Sequence, residues 1–173
     1  MATTSLRAVT TRISPPAALE TSTARNLRTV QGMVDGFAAQ DIKGVMALMA
    51  DDAVYCDILG DGVRGVEYSG KAAIREAFSR QFELAGRHTY VDARIMAEED
   101  LGFASWTMVL GDPDDIKAAR FEGIDLFVFD GEGQVALKKA WLKGQPRLRR
   151  ELLRRNPKAL FRHLGYAVAS WGK

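Results

Sequence analysis

Two aspartates, Asp57 and Asp125, interrupt stretches whose other residues are typical of β-strands. Asp57 ends an apolar run that begins at residue 53, and Asp125 lies inside the strand-like run 121–129. Aspartate is disfavoured in strands, and a buried carboxylate is costly without a partner. A buried aspartate can avoid that cost by keeping its proton, which is the state that an acid catalyst needs. The pair therefore predicts a pocket for proton transfer, with a structural carboxylate or a solvent-facing strand as the alternative.

Tyr55 precedes Asp57 by two residues, so both side chains project from one face of a strand. Its phenol can donate a hydrogen bond beside that carboxylate, or its ring can simply pack in the core. Both interpretations stay open. His88 opens a strand after a turn and is expected at a solvated edge. Large apolar side chains on the later strands are expected to line the pocket or core: Trp106, Met108, Phe127 and Trp141.

The composition excludes several classes of site. The single cysteine, Cys56, excludes an intramolecular disulfide and favours a cytoplasmic location. Only two histidines are present, so a metal site built from soft ligands is not expected. The chain has no Gly-rich phosphate loop. No apolar stretch approaches the roughly 20 residues that a membrane-spanning helix needs.

The apolar periodicity changes along the chain from helical to strand-like. It predicts helices from Thr23 to the break at Gln40, from Asp41 to Met49, and from 71 to about 84. The predicted strands follow this order: 53–58, 89–97, 102–110, 117–129 and 135–142. Helices followed by an antiparallel meander indicate an α+β fold. A curved sheet would wrap the N-terminal helices into a cone, whose open end is a common place for a ligand.

Charge is distributed unevenly between the two ends of the chain. Residues 145–173 carry eight basic residues against Glu151 alone, a net charge of +7, whereas residues 1–144 carry a net −5. We therefore divide the chain into a flexible N-terminal arm (1–22), an α+β domain (23–144) and a basic amphipathic helical tail (145–173). The arm is Arg-rich and Ser/Thr-rich, a composition that organelle targeting segments share.

The basic tail divides into two amphipathic helical pieces hinged at Pro157. Each piece carries an apolar stripe: Leu148, Leu152 and Leu153 in the first, and Leu160, Phe161 and Leu164 in the second. We expect one of two arrangements. Either these stripes pack on the domain, or segment 147–162 contacts a membrane surface or an acidic partner. Nucleic acid is not expected as a partner, because no stacking aromatics interleave the arginines.

Three segments carry a resemblance to a known family. The run from Ala39 to Ala53, with Asp57 and then the run from Ser69 to Glu76, resembles the nuclear transport factor 2 superfold. Within that superfold, the run from Ile124 to Val135 resembles the SnoaL-like and ketosteroid isomerase branch. The resemblance covers about residues 24–143. It implies a cone-shaped α+β fold, whereas the reaction varies widely within the superfold.

The resemblance implies roles for both aspartates. Asp57 falls where ketosteroid isomerases keep the base that moves a proton between carbons, and Asp125 falls where they keep a protonated aspartate that stabilises an oxyanion. Met33 and Phe78 occupy the positions of two isomerase tyrosines and are expected to contact the substrate. The epoxide hydrolase branch has an arginine where this chain has Gly123.

Two functions from different classes follow. The first is a cofactor-independent isomerase, cyclase or dehydratase acting on an apolar, carbonyl-bearing small molecule of polyketide, terpenoid or steroid type, with Asp57, Asp125 and Tyr55 as catalytic residues. The second is a non-catalytic ligand-binding or protein-interaction module, and an epoxide hydrolase or cyclase is a further alternative. Relatives dimerise through the outer sheet face, and apolar residues on both faces of the strands predict a homodimer here too.

Overall fold

The computed structural model describes residues 21–59, 63–163 and 165, and it confirms the α+β class. Three helices accompany the first strands: α1 Ser22–Ala39, α2 Ile42–Ala47 and α3 Lys71–Ala85. Two further helices end the described chain, namely α4 Gln145–Arg155 and α5 Pro157–Arg162. The six strands are β1 Met49–Cys56, β2 Glu67–Ser69, β3 His88–Glu98, β4 Leu101–Leu110, β5 Ala119–Phe129 and β6 Val135–Leu142.

All six strands form one curved, unclosed sheet in the order β2-β1-β6-β5-β4-β3. Neighbouring strands are antiparallel except β1 and β6, which run parallel. The register of β3 shifts between Val91 and Arg94, where Asp92 adopts a φ of +55°. A bulge of this kind bends a strand and increases its twist. The bend helps the sheet to curve around α1 and α3.

The core lies between the concave face of the sheet and the apolar faces of α1 and α3. Met33 of α1, Phe78 of α3 and Phe127 of β5 are all at most 1% exposed. Helical spacing explains the placement, because Val30, Met33 and Phe37 recur every three or four residues on one face of α1.

Several predicted boundaries move by a few residues. Helix α1 begins at Ser22 rather than Thr23, because the Thr21 hydroxyl accepts from the Ala24 amide at 3.2 Å and caps the helix. Helix α2 ends at Ala47, since Met49 already pairs with Val135 in the sheet. Strand β1 ends at Cys56, so Asp57 follows the strand directly. Strand β2 was not predicted, because three residues are too few to show an alternation.

The two helical pieces of the tail meet at Asn156, and α5 begins at Pro157. Leu148 and Leu152 are buried against the domain, whereas Leu153 and Phe161 are 41% and 77% exposed. Of the two predicted alternatives, packing on the domain therefore does not hold for Leu153 and Phe161. Leu164, the side chain of Leu160 and the first 20 residues of the predicted arm lie outside what the structure describes. Within the described residues, no helix combines the length and apolar character that crossing a membrane requires.

Candidate functional site

Asp125 projects from β5 into the concave side of the sheet and is 7% exposed. Its Oδ1 accepts a hydrogen bond from Lys138 Nζ at 2.7 Å, and its Oδ2 accepts one from Trp106 Nε1 at 3.0 Å. The two donors come from the flanking strands β6 and β4. Both carboxylate oxygens thus have a donor from the protein, and one of these donors is a cation.

Lys138 is the site residue that the sequence analysis missed. It is 3% exposed, and its ammonium lies 5.1, 5.3 and 5.7 Å from the ring centroids of Phe37, Tyr55 and Phe127. The aromatic rings and the Asp125 carboxylate together offset the cost of removing this charge from water. The alternation of β6 could have indicated that Lys138 points inward, because residues 138 and 140 lie on the same face of the strand and Ala140 is buried.

Gly123 allows Trp106 to reach Asp125. Trp106 pairs with Gly123 across the β4–β5 ladder, and a Cβ at Gly123 would lie 2.1 Å from the Trp106 ring. Any side chain at position 123 would therefore push the indole away from the position in which it donates. This contact is a structural reason for glycine where the epoxide hydrolase branch has an arginine.

Asp57 and Tyr55 form a second polar pair at the end of β1. The Tyr55 hydroxyl donates to Asp57 Oδ1 at 3.2 Å, and the Leu59 amide lies 3.3 Å from the same oxygen. Tyr55 is 1% exposed, with its ring centroid 4.7 Å from that of Phe78. Gly65, at φ +69°, packs so closely that a Cβ there would lie 2.1 Å from the Asp57 carbonyl oxygen. These contacts fix the backbone that carries Asp57.

We call the small space beside Lys138 the inner chamber. Polar groups of Tyr55, Tyr90, Trp106, Asp125 and Lys138 border it, together with apolar side chains that include Met33. Its volume is about 20 Å³, which is room for roughly one water molecule. Of the predicted pocket residues, Met33 and Trp106 line this chamber directly, whereas Phe78 and Phe127 support the rings and the ammonium at its wall.

Tyr90 of β3 adds a phenol that the sequence analysis did not single out. Its ring packs edge-on against Trp106, with centroids 5.0 Å apart. Burial raises the pKa of Tyr90 well above its usual range, and the charge of Asp125 raises it further. Tyr90 therefore stays a neutral phenol through the neutral pH range and can donate a hydrogen bond.

Asp57 faces a second small space, which we call the outer chamber. Met108 lies on its wall, and Leu148 and Leu152 of α4 cover it. Its volume is about 30 Å³. Ile58 and Gln81 border both chambers, so the two spaces adjoin. The expectation that both aspartates face one chamber is wrong: each lines its own, and Tyr55 links them by lining the inner chamber and hydrogen-bonding Asp57.

Asp57 also borders an open cavity of about 360 Å³ at the rim of the sheet, which we call the rim cavity. Arg64, Lys139 and Trp141 lie on its walls. Trp141 is 48% exposed on the outer face of β6, because its neighbour Ala140 points inward and the strand alternates. Trp141, predicted to line the pocket or core, therefore lies outside the core and the inner chamber, on the wall of the rim cavity.

His88 is buried, so the prediction of a solvated edge is also wrong. It is 4% exposed, with Nδ1 2.8 Å from the Gly86 carbonyl and its ring against Phe82 and Tyr90. Nε2 is buried and meets no hydrogen-bond partner among the described residues. Burial lowers the pKa of His88, although the Gly86 carbonyl opposes this change.

The fold agrees with a family comparison. The family model of the SnoaL-like domain matches residues 30–137. The chain belongs to the SnoaL-like domain family. This match confirms the resemblance inferred from residues 24–143. A comparison with curated protein sequences finds no match.

Solved structures similar to this SnoaL-like chain include proteins of different reactions. One is a protein from Xanthomonas campestris pv. campestris that is provisionally named a polyketide cyclase. It is 17% identical with a TM-score of 0.59, and the match covers 73% of this chain and 96% of that protein. An LEH-like epoxide hydrolase from M. tuberculosis is 20% identical with a TM-score of 0.56, covering 78% and 93%. A protein provisionally named a ketosteroid isomerase, from Kribbella flavida DSM 17836, is 15% identical with a TM-score of 0.52, covering 71% and 81%. At these identities, the likeness shows a shared fold alone.

Proposed function

We propose that this SnoaL-like protein is an enzyme that moves protons, without a cofactor, on an apolar carbonyl-bearing small molecule of polyketide, terpenoid or steroid type. The outcome would be isomerisation, cyclisation or dehydration. One observation carries the proposal: a buried ammonium, Lys138, and a buried carboxylate, Asp57, lie on adjoining chambers that Tyr55 connects. Proton abstraction beside a carbonyl needs a base and a group that stabilises the enolate oxygen.

In this mechanism Asp57 is the base. Its carboxylate takes a proton from the carbon beside the carbonyl. The electron pair of that C–H bond forms the C=C bond of the enolate, and the π pair of the carbonyl moves onto its oxygen. The protonated Asp57 then returns the proton to another carbon or to a leaving hydroxyl. Tyr55 hydrogen-bonds the same carboxylate at 3.2 Å, which orients it. Because Asp57 is only 7% exposed, bulk water competes little for its proton.

Lys138 and Tyr90 supply the donors for the enolate oxygen. The resemblance to ketosteroid isomerases implies this role for a protonated Asp125, but both Asp125 oxygens already accept from Lys138 and Trp106. The Lys138 ammonium is the stronger donor, since charge-assisted hydrogen bonds are about twice as strong as neutral ones. Asp125 then acts as a positioning residue that holds the Lys138 side chain at the inner chamber.

The available space limits how a substrate binds. The inner and outer chambers, at about 20 and 30 Å³, each hold roughly one water molecule. The rim cavity, at about 360 Å³, falls in the range of small-molecule sites and borders Asp57. We propose that the bulk of the substrate occupies the rim cavity and that its carbonyl end displaces Ile58, which lines all three spaces.

A non-catalytic ligand-binding module is the second candidate, and the small chambers favour it. In that case the Lys138–Asp125 pair is a structural ion pair, and only the rim cavity binds a ligand. Epoxide opening is a further alternative, in which a carboxylate activates water and a second group protonates the oxygen. The position of the arginine that this branch uses is occupied here by Gly123, which the Trp106 ring covers.

Proton transfer can be tested without knowing the natural substrate. The purified protein is incubated in D₂O with a cyclic β,γ-unsaturated ketone, and deuterium uptake and conjugation are followed by NMR and absorbance. We expect D57N to lower the rate by about 10²–10⁴-fold, the usual contribution of a general base, with binding of the ketone retained. Glu122→Gln, at an exposed residue of β5, is the control and should keep the wild-type rate.

The binding-module hypothesis predicts the opposite outcome, namely ketone binding without proton exchange. If the wild-type protein binds the ketone at the rim cavity but exchanges no deuterium above the buffer rate, the catalytic proposal is wrong. Equal rates in D57N and wild type would also exclude Asp57 as the base.

A further inference from the structure

The outer surface of α4 and α5 combines cations with exposed apolar side chains. On α4, Arg150, Leu153 and Arg154 are spaced i, i+3, i+4, so they share one helix face, and all are exposed. Lys158, Phe161 and Arg162 repeat the same spacing and exposure on α5. We call these six residues the tail face.

The opposite side of the tail is fixed to the domain. Leu148 and Leu152 cover the outer chamber, and the Asn156 amide donates to the Glu83 carbonyl at 2.9 Å. Glu83 also pairs, at 2.8 Å, with His163 Nε2. The helices are thus held in place by contacts other than the exposed apolar residues, so packing against the domain does not explain Leu153 and Phe161.

The charge of the tail face is only partly neutralised within the protein. Glu151 pairs with Arg154 at 3.1 Å, and Glu83 pairs with Arg162. Arg150 and Lys158 are exposed and have no carboxylate partner among the described residues. The tail segment 145–173 carries +7, and the rest of the chain carries −5. This separation orients the tail towards a negatively charged surface.

We infer that the tail face binds an anionic lipid surface, with Phe161 and Leu153 entering the headgroup region while Arg150 and Lys158 contact the lipid phosphates. Amphipathic helices with cations beside large apolar side chains bind in this way. Phe161 is 77% exposed, which favours lipid over an acidic protein. A partner that binds through charge alone would make no contact that requires an exposed aromatic ring. Because the inner side of α4 covers the outer chamber, the bound membrane would lie next to the candidate site.

The test is co-sedimentation of the full-length protein with phosphatidylcholine vesicles that contain about 30% phosphatidylglycerol. Two charge-matched double variants are compared: R150E/K158E on the tail face, and K43E/K117E at exposed lysines on α2 and in the β4–β5 loop. We expect at least about tenfold weaker binding for R150E/K158E and little change for K43E/K117E. Phe161→Ser should also weaken binding, whereas Ile116→Ser, at a residue that is 91% exposed, should not.

Three controls make the outcome decisive. Raising the NaCl concentration from about 0.05 to 0.5 M should weaken wild-type binding, since it shortens the Debye length. Circular dichroism should show that each variant is folded. Equal binding to vesicles of phosphatidylcholine alone, or equal losses in both double variants, would overturn the inference. Binding to polyglutamate with no vesicle binding would do so too, in favour of an acidic protein partner.

Discussion

Lys138 and Asp125 are the residues on which the interior of this molecule depends most. Both side chains are buried, and the Lys138 Nζ lies 2.7 Å from the Asp125 Oδ1, so each charge compensates the other. Trp106 donates a hydrogen bond to Asp125, and three aromatic rings surround the ammonium. Such a pair is not by itself a large net source of stability, because desolvation offsets the Coulomb attraction. Losing one partner is different, because a buried charge is then left without compensation.

K138M should therefore destabilise the fold strongly. We expect the free energy of unfolding to fall by about 3–5 kcal/mol, since the Asp125 carboxylate keeps only the Trp106 donor. Urea denaturation measures the change. The double variant D125L/K138M should regain part of the loss, because it buries neither charge. K139M, one residue along β6 at a partly exposed position, is the control and should change stability by less than about 1 kcal/mol.

His88 should make stability depend on pH near neutrality. Burial lowers the pKa of His88 in the folded state, whereas the unfolded chain titrates near the ordinary value of about 6.5. The unfolded state therefore binds more protons than the folded state as pH falls below about 6.5, and the free energy of unfolding decreases there. Above that pH the contribution is constant. Urea midpoints between about pH 5 and 8 should show this slope in wild type and a flatter one in H88F; identical slopes would contradict the assignment.

At the scale of elements, α4 closes the outer chamber rather than extending away from the domain. Leu148 and Leu152 are 2% and 7% exposed, and the Gln145 side-chain amide donates to the Ile58 carbonyl. Gly144, at φ +83°, forms the turn that brings the helix back from β6 over the rim. The helix is therefore the element whose release would enlarge the space next to Asp57.

Leu152→Ala should loosen α4 while leaving the sheet intact. A buried leucine of this kind contributes about 2–5 kcal/mol, but the loss appears locally if α4 opens before the rest of the domain unfolds. Hydrogen exchange should accelerate in 145–155 and stay slow in β5. Leu153→Ala is the matched control, since Leu153 is 41% exposed and should have little effect. Uniform acceleration in both regions would contradict an independently opening helix.

At the scale of the whole molecule, the outer face of the sheet carries apolar side chains that the monomer leaves in water. Ile124 and Trp141 are adjacent across the β5–β6 ladder and are 41% and 48% exposed, and Leu101 of β4 is 41% exposed. Leu101 pairs with Val128, so it lies further along the same face than the Ile124–Trp141 pair. Large apolar side chains exposed together on one sheet face favour an interface there. We propose that two copies pair through this face.

The oligomeric state follows directly from that proposal. We expect light scattering at micromolar concentration to give twice the 19.0 kDa chain mass for wild type and the single mass for W141E, because a charge would be buried in the interface. Ile116→Glu is the control, since Ile116 is 91% exposed in the β4–β5 loop. A monomeric wild-type protein would exclude the dimer.

The order of helices and strands, and with it the family, could be predicted from the amino-acid sequence, because period and turn residues are local properties. The two-residue spacing also predicted that Tyr55 lies beside Asp57, and the hydrogen bond between their side chains agrees with it although β1 ends at Cys56. The sequence did not indicate that Lys138 neutralises Asp125, since that pairing depends on the register between β5 and β6. Only the tertiary structure decided which chamber each carboxylate faces, that Trp141 points outward, and that α4 covers Asp57. Each of these depends on how distant segments pack. The residues in contact are separated by 13 to about 95 positions in the sequence, and such contacts leave no local pattern in the chain.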